Sequence, residues 1–402
     1  MEIGGAAMLS STDVQALIDL HCQCLPAEPV PLSEALYRVL RQDVVAKQDM
    51  PSFTRSAMDG YLVLAEELPG QFELAGEVRP GGPAQMPAPG TCLRVFTGSA
   101  VPDQGVIVVM QEDVVLQGHA LLMLHNPGVA HVRQRGSHHR AGSVLARTGQ
   151  KLTPGLIAVL AAEGVANPLV SRLPRVAHIA TGSELVDCAS DPEFGQIRDS
   201  NSPLLASLVR AHGAAMVLHQ RVDENPERLG RAIDEVLEAK VDMLMVSGGA
   251  SVGDHDHTRA CLQSAGFTLL VHGVNSRPGK PLIVGKHDST IAFGLPGNPL
   301  SHFVCFHLFV RRALERMIRQ NATELVPMPV QESGFLTANP RESWWPCQIV
   351  WQHGMPMARV LPWRDSSDTD ALALADALLR VPPSGLSADT TTSVLPVNLH
   401  LS

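Results

Sequence analysis

The chain has 402 residues, of which 45% are hydrophobic, 18% are charged and 4% are aromatic. At about 100–200 residues per domain, this length predicts roughly two to four domains, and the apolar content argues against global disorder. The net charge of -9 argues against non-specific binding to nucleic acid, which depends on a basic surface.

The sequence carries no signal for secretion or membrane insertion. The seven Cys show no C-x-x-C spacing, which favours reduced thiols in the cytoplasm over a disulfide framework. No basic segment followed by a long apolar run opens the chain, so no signal peptide is expected. The most apolar stretch, residues 291–310, is broken by Gly-Leu-Pro-Gly-Asn-Pro and is not expected to span a membrane.

The first half of the chain predicts helices followed by a β-rich region. Residues 11–25 and 32–46 each place apolar side chains at helical spacing, so two short amphipathic helices are expected. From Met50 to about Val132, short β-rich runs alternate with turns, which predicts a small β-rich domain. The expected strands are residues 60–64, 70–78, 91–98, 105–116 and 119–124.

The second half alternates strands and helices. A helix is expected at residues 154–163, and the strands expected after it are residues 174–182, 214–222, 241–249, 267–274 and 290–298. The helices expected between or after these strands are residues 202–213, 226–239, 257–265 and 300–318. This alternation predicts a mostly parallel sheet with helices on both faces, and such sheets bind ligands at the carboxyl ends of their strands.

These patterns predict a multi-domain α/β protein. The expected units are residues 1–26 as an N-terminal helix packing on the α/β domain, 27–49 with 133–172 as a small linking α+β region, 50–132 as the inserted β-rich domain, 173–325 as the central α/β domain and 326–402 as a C-terminal β-barrel-like domain.

Three turns follow apolar strands of the central block, at residues 181–184, 247–254 and 294–299. Backbone N–H groups in Gly turns, together with the positive end of the next helix, suit an anion. A single Gly-Gly pair could equally make only a tight turn, but three such turns at one sheet edge favour a phosphate-type site. None matches G-x-x-x-x-G-K-[ST], and no G-x-G-x-x-G follows a strand, so nucleotide hydrolases and dehydrogenases are not favoured.

Acidic residues stand beside these turns. Glu184, Asp254 and Asp256 could hold Mg²⁺ between the protein and a phosphate. Helix capping is the alternative; it is favoured for Asp199 and equally weighted for Asp254. The pairs His138-His139 and His255-x-His257 lack a third ligand, so structural roles are favoured over metal binding.

Two further segments carry candidate residues. Arg277 and Lys280 lie in a Pro- and Gly-containing turn that leads directly into a strand, which keeps both cations near the sheet. In the β-rich region, Asp59 precedes Gly60, a pair that by itself predicts a hairpin turn. The loop of residues 96–99, which contains Thr97, is a second candidate there.

Seven segments, taken in this order, resemble the signature of the molybdopterin molybdenumtransferases, the MoeA and gephyrin E-domain family. They are SAMDGY, VVMQED, PRVAHIATGSELV, GQIRDSNS, SGGASVGDHD, RPGKP and GLPGNP. The resemblance covers nearly the whole chain and is weakest after about residue 325. The α/β block alone also resembles the smaller molybdopterin adenylyltransferases, but SAMDGY and the β-rich domain favour the transferases.

The resemblance implies an Mg²⁺-dependent enzyme of molybdenum cofactor biosynthesis with a molybdopterin-binding type of α/β domain. Its implied substrates are adenylylated molybdopterin and molybdate, with release of AMP. It also implies a homodimer, with each site between the α/β domain of one subunit and the β-rich domain of the other. A molybdopterin adenylyltransferase is a further expected partner.

By position, the resemblance assigns roles to individual residues. The implied catalytic residues are Asp59, Glu184 and Asp256, of which Glu184 and Asp256 are the implied metal ligands. The residues expected to bind substrate are Thr97, Ser247, Gly248, Gly249, Ser251, Gly253, Arg277, Lys280, Pro296 and Pro299.

The chain departs from the family pattern at several positions. Ser137-His138 stands where Glu-Asp is usual, Gly273 and Arg277 each replace Lys, Glu224-Asn225 replaces Asp-Asp, and Thr54-Arg55 replaces Asp-Asn. These changes imply either a different mode of substrate binding or reduced catalysis. The alternatives to an active transferase are therefore a divergent paralogue that binds molybdopterin with little turnover, and an adenylyltransferase.

Overall fold

The computed structural model describes residues 8–117, 120–249, 257–331, 336–387 and 390–397. Within these ranges no helix has the length and apolar character needed to cross a membrane.

The N-terminal half consists of a β-rich sheet and a small linking region. Its helices are α1 (Ser11–His21) and α2 (Pro154–Ala162). Its strands are β1 (Ala27–Pro29), β2 (Val44–Val45), β3 (Arg55–Ser56), β4 (Gly60–Leu64), β5 (Gly70–Val78), β6 (Thr91–Val95), β7 (Val106–Met110), β8 (Val114–Gln117), β9 (Ala120–Met123), β10 (Val132–Arg133), β11 (Val144–Ala146) and β12 (Leu169–Ser171). Strands β7-β4-β6-β5-β9-β8 form one sheet, whereas β1–β12, β2–β11 and β3–β10 are separate pairs.

Helix α1 forms where the sequence predicts it. Ser10 and Asp13 form a capping box, in which each side chain accepts a hydrogen bond from the other residue's backbone N–H. On its inner face, Val14 and Ile18 are fully buried in the core of the central α/β region.

The helix predicted over residues 32–46 is wrong. Only a short 3-10 turn forms, at Leu32–Glu34, and Tyr37 then adopts a left-handed φ of 61°. Beyond it, the backbone N–H of Leu40 donates to Gln150, and Val44–Val45 pairs with β11. Backbone hydrogen bonds to the linking region therefore override the helical spacing of the apolar residues.

The central region is a six-stranded sheet covered by helices. The strands of this region are β13 (Arg175–Thr181), β14 (Leu185–Val186), β15 (Ile197–Arg198), β16 (Ala215–Val222), β17 (Met243–Ser247), β18 (Thr268–His272), β19 (Ser276–Arg277), β20 (Ile283–His287) and β21 (Thr290–Leu295). Six of them form the central sheet, whereas β14 and β15 form a separate pair and β19 joins the C-terminal sheet. Its helices are α3 (Asn201–Ala211), α4 (Pro226–Glu238), α5 (His257–Ser264), α6 (Pro299–Cys305) and α7 (Arg311–Met317), with a π-helical turn at Phe306–Val310 joining the last two.

The sheet order is β16-β13-β17-β21-β20-β18, in which the first four strands pair in parallel and β20 pairs antiparallel with both β21 and β18. Alternate side chains of these strands enter two apolar cores, one beneath α3, α6 and α7 and the other beneath α4 and α5. The predicted mostly parallel sheet with helices on both faces is therefore confirmed.

Neighbouring parallel strands end at the same edge of this sheet. Ala180 lies opposite Ser247 in the register of β13 and β17, and Ser247 lies opposite Leu295 in β21. The turns that follow these three strands consequently lie side by side, as the sequence predicts.

The C-terminal region forms a closed barrel. Its elements are β22 (Val326–Gln331), β23 (Glu342–Gln352), β24 (Met355–Val360), α8 (Asp370–Ala373), β25 (Ala377–Val381) and β26 (Thr391–Pro396). The order β23-β24-β22-β26-β25 closes because β25 also pairs with β23, which confirms the barrel-like domain. Strand β19 pairs with β23, so the segment around Arg277 is attached to the barrel.

Candidate functional site

A cleft of about 710 Å³ opens at the carboxyl edge of the central sheet. Residues from all three predicted turns line it: Thr181 and Glu184 from the first, residues 247–249 from the second and residues 297–299 from the third. The other lining residues are Ala180, Leu185, Ile197, Arg198, Asp199, Ser200, Asn201, Glu224, His257, Ser367 and Thr369.

The second turn can be built only with glycine. Gly248 and Gly249 have φ values of 86° and 62°. A Cβ atom on Gly248 would lie 2.5 Å from the carbonyl oxygen of Thr181. The hydroxyl of Thr181 donates to the carbonyl of Ser247 at 3.0 Å, and that of Thr258 donates to the carbonyl of Gly248 at 3.0 Å. The first and second turns are therefore packed backbone against backbone.

Two helices begin at the cleft. Ser200 and Asn201 open α3, whereas Asn298 and Pro299 open α6, and all four residues line the cleft. The Asn201 amide donates to the carbonyl of Gly297 at 2.7 Å, which ties the two helix starts together. The N-terminal ends of helices carry partial positive charge and unpaired N–H groups, so this edge favours a negatively charged ligand.

Among the residues that the structure describes, three carboxylates line the cleft, and one of them is a helix cap. Asp199 is only 8% exposed and accepts hydrogen bonds from the backbone and hydroxyl of Ser202, which confirms the capping role favoured from the sequence. Glu184 and Glu224 are exposed and form no side-chain hydrogen bond or ion pair with other described residues. Two carboxylates with oxygen atoms open to the cleft fit Mg²⁺, which binds few protein oxygens and retains water and phosphate ligands.

Several predicted residues of the second turn, namely Ser251, Gly253, Asp254, His255 and Asp256, lie outside the described residues. The proposed metal ligand Asp256 is among them. Pro299 lines the cleft, whereas the described lining residues do not include Pro296.

Asp59 and Thr97 are in direct contact in the β-rich region. Asp59 Oδ1 accepts hydrogen bonds from the Thr97 backbone N–H at 2.7 Å and from its hydroxyl at 2.8 Å. These bonds, the backbone one foremost, lower the pKa of Asp59 and keep it ionised. The guanidinium of Arg94 stacks nearby on Tyr61 and Phe96. Among described residues, this pair does not line the cleft of its own chain.

Arg277 and Lys280 are half-buried and also lie outside the described lining of the cleft. The Arg277 guanidinium sits 5.3 Å from the centre of the Trp363 ring, a cation–π contact with the C-terminal region. Gly273, which replaces a Lys of the family pattern, has φ 92°, a conformation in which a Lys would be strained.

The Glu224-Asn225 departure from the family pattern retains the chemistry of the positions it changes, whereas His138 does not replace the missing carboxylate. Asn225 Oδ1 accepts from the backbone N–H groups of Glu227 and Arg228 and caps α4, a role that Asn fills as well as Asp. Next to it, Glu224 supplies a carboxylate to the cleft. His138 is exposed, whereas its neighbour His139 contacts the buried Glu163 at 2.9 Å.

The C-terminal region reaches this site, although no sequence pattern predicts it. The Asn298 amide donates to the hydroxyl of Ser366 at 2.6 Å, and the carbonyl of Ser366 accepts from the Leu300 backbone at 3.1 Å. Ser367 and Thr369 then line the cleft. Short Ser- and Asp-rich runs are typical of any turn, so no sequence signal could have separated these residues from ordinary loop residues.

The fold and the cleft define a class of protein: an α/β domain with a cleft at the carboxyl edge of its sheet, joined to a β-rich domain and a barrel. Residues 9–164 match the profile of the MoeA N-terminal region (domain I and II), and residues 177–316 match that of a probable molybdopterin binding domain.

Relatives with established names cover most of the chain. A molybdopterin molybdenumtransferase from Nostoc sp. is 36% identical over 302 residues, which are 72% of this chain and 69% of that protein. One from Bacillus subtilis is 30% identical over 384 residues, 92% of this chain and 89% of that protein. The crystal structure of a molybdopterin biosynthesis moeA protein from Pyrococcus horikoshii OT3 matches with a TM-score of 0.80 and 25% identity, covering 97% of this chain and 100% of that one. The chain belongs to the molybdopterin molybdenumtransferase (MoeA) family.

Proposed function

We propose that this protein inserts molybdenum from molybdate into adenylylated molybdopterin and releases AMP, as a step of molybdenum cofactor biosynthesis. The observation that carries the proposal is the cleft, where three glycine-containing turns and the starts of α3 and α6 meet at one sheet edge. Backbone N–H groups and helix N-termini there suit the phosphate groups of an adenylylated pterin.

Different residues of the cleft bind the phosphate groups and the metal. The backbone of the Gly248–Gly249 turn and the start of α6 hold phosphate oxygens, because both line the cleft. Glu184 and Glu224 would hold Mg²⁺ in the cleft, with Asp256 as the further ligand that the family resemblance implies. The metal, when bound, neutralises charge on the phosphate group from which AMP is displaced.

We further propose that the enzyme is a cytoplasmic homodimer in which Asp59 and Thr97 complete the cleft of the other subunit. Supporting this, the two residues form an exposed, ionised pair that does not line the cleft of its own chain.

All seven Cys are free thiols, which supports a reducing compartment. A molybdopterin adenylyltransferase is the proposed source of the substrate. The separate sheets support the division into domains given above.

The other functions considered from the sequence are not favoured. The similarity to named molybdenumtransferases extends through the N-terminal region as well as the α/β domain, which weighs against an adenylyltransferase. Glu224 and Asn225 retain a carboxylate and a helix cap where the family pattern is altered, which weighs against an inactive paralogue.

The test is to incubate the purified protein with adenylylated molybdopterin, Mg²⁺ and molybdate and to measure AMP. The proposal predicts AMP release that depends on molybdate. Binding without AMP release would identify a carrier, and adenylylated molybdopterin formed from ATP and molybdopterin would identify an adenylyltransferase. The variant His138→Asp restores the carboxylate of the family pattern and tests whether its absence impairs catalysis. If the enzyme is active, this variant changes the rate of AMP release little.

A further inference from the structure

Ser247 lies between two buried histidines from different elements. Its hydroxyl is 2.6 Å from Nε2 of His178 on β13 and 2.8 Å from Nε2 of His302 on α6. Both imidazoles are 0% exposed and Ser247 is 3% exposed. The three side chains lie directly beneath the Gly248–Gly249 turn and the start of α6.

The hydrogen bonds of this group have only one consistent direction. Burial lowers the pKa of His178 to about 3 and that of His302 to about 4, so both rings are neutral near pH 7. His302 Nδ1 is 3.3 Å from the carbonyl oxygen of Asn298, which can only accept, so Nδ1 carries the proton. His302 Nε2 must then accept the Ser247 hydroxyl proton.

The direction of the hydrogen bond between His178 and Ser247 follows because a hydroxyl has only one proton to donate. Because Ser247 donates to His302, His178 Nε2 must donate to Ser247 Oγ. The chain of donors therefore runs from His178 through Ser247 and His302 to the carbonyl of Asn298. His178 Nδ1 is left as an acceptor without a partner in the described part of the chain. Ser247, predicted from the sequence to bind substrate, has no proton left for a ligand.

We propose that His178 and His302 are positioning residues, which fix the Ser247–Gly249 turn and the Asn298–Pro299 turn at the spacing that a phosphate-bearing ligand requires. The inference rests on the proposed function for the identity of the ligand. Ser247 is the last residue of β17 and Asn298 lies in the turn after β21, so one chain of hydrogen bonds sets the separation of the two turns that line the cleft. The side chain of Asn298 extends the connection to Ser366 of the C-terminal region.

Kinetics of AMP release separate positioning from simple folding. We expect His302→Leu to raise KM for adenylylated molybdopterin about tenfold, the equivalent of one lost hydrogen bond, with kcat changed less than about threefold. His302→Gln, whose amide can accept from Ser247, should restore KM to within about threefold. His287→Gln, at the far end of β20, is the matched control and should leave both constants unchanged.

A double-variant cycle tests whether Ser247 acts through His302 or touches the ligand. If it acts through His302, Ser247→Ala combined with His302→Leu raises KM no more than the stronger single variant does. Independent, multiplying effects on KM would overturn the proposal, and so would a loss of kcat with unchanged KM.

Histidine tautomers give a readout that needs neither activity nor substituted protein. In ¹⁵N-histidine-labelled wild-type protein at pH 7, long-range ¹H–¹⁵N spectra should show His302 protonated at Nδ1 and His178 at Nε2. Identical tautomers, or a charged ring, would overturn the network. Opposite tautomers in a protein that releases no AMP would instead refute the proposed function and leave the network standing.

Discussion

A single carboxylate oxygen of Asp59 accepts two hydrogen bonds from Thr97, one from its backbone N–H and one from its hydroxyl. The other oxygen of Asp59 has no hydrogen-bond partner among the described residues and is exposed. Both hydrogen bonds stabilise the ionised form, and the pKa of the carboxyl is lowered accordingly. The exposed oxygen is therefore a charged group held in a fixed position.

Asp59→Asn should abolish most of the activity without affecting folding. The amide oxygen of Asn can still accept from Thr97, but the charge is lost, and we expect AMP release to fall by about 10²-fold or more. Thr97→Ser, which keeps both donors, should stay within about threefold of the wild-type rate, whereas Thr97→Val should not. A wild-type rate for Asp59→Asn would remove Asp59 from the site.

Gly248→Ala should disable the cleft, because an added methyl group meets the Thr181 carbonyl at 2.5 Å in a backbone with φ 86°. We expect a loss of about 1–3 kcal/mol in the free energy of unfolding and a marked loss of affinity for adenylylated molybdopterin. Gly230→Ala, in α4 and outside the described lining, is the control, because an added Cβ there would meet no atom within 4 Å. If both variants had the same thermal stability and the same affinity for adenylylated molybdopterin, close packing of position 248 against the Thr181 carbonyl would be contradicted.

The Mg²⁺ concentration that AMP release requires should depend on Glu184 and Glu224, the two carboxylates open to the cleft. Glu184→Gln and Glu224→Gln each remove a charge from the cleft, so the Mg²⁺ concentration for half-maximal AMP release should rise about tenfold or more. Glu227→Gln, in the first turn of α4 and outside the described lining, should not change it. Unchanged Mg²⁺ titrations in both cleft variants would exclude Glu184 and Glu224 as ligands.

Stability should fall in mild acid, partly because of His302. Burial lowers the pKa of His302 from 6.5 to about 4 in the folded protein, so between these pH values the unfolded chain binds the additional proton. The contribution of neutral His302 to the free energy of unfolding is complete above about pH 7 and is lost as the pH falls towards 4. Between pH 7 and pH 5, this predicts a loss of about 2 kcal/mol in the free energy of unfolding.

His302→Gln has no titrating ring, so urea unfolding at the two pH values should show a smaller loss by about that amount. An identical pH dependence in wild type and variant would mean that His302 already titrates normally in the folded protein.

The central sheet and its ligand-binding edge could be predicted because they follow from local patterns. Apolar runs such as β13 and β17 alternate with helices, and parallel strands place their following turns at one edge. Residues 32–46 were mispredicted because backbone hydrogen bonds to residues more than a hundred positions away decided their conformation.

The parts of the site that escaped prediction depend on contacts between distant segments. His178, Ser247 and His302 are separated by 55 or more positions, and an apolar pattern around a His predicts only that it is buried. The same holds for Ser366, whose contact with Asn298 joins two domains. Residue spacing within one segment carries no information about which segments meet in three dimensions.

We propose that each site combines the cleft of one subunit with Asp59 of the other. Asp59→Ala and Glu184→Ala chains, carrying different affinity tags, can be co-expressed and the mixed dimer purified through both tags. Each homodimer should be inactive, whereas the mixed dimer contains one intact site and should release AMP at about half the wild-type rate, in a molybdate-dependent manner. A mixed dimer that releases no more AMP than the two homodimers would exclude a site shared between the subunits.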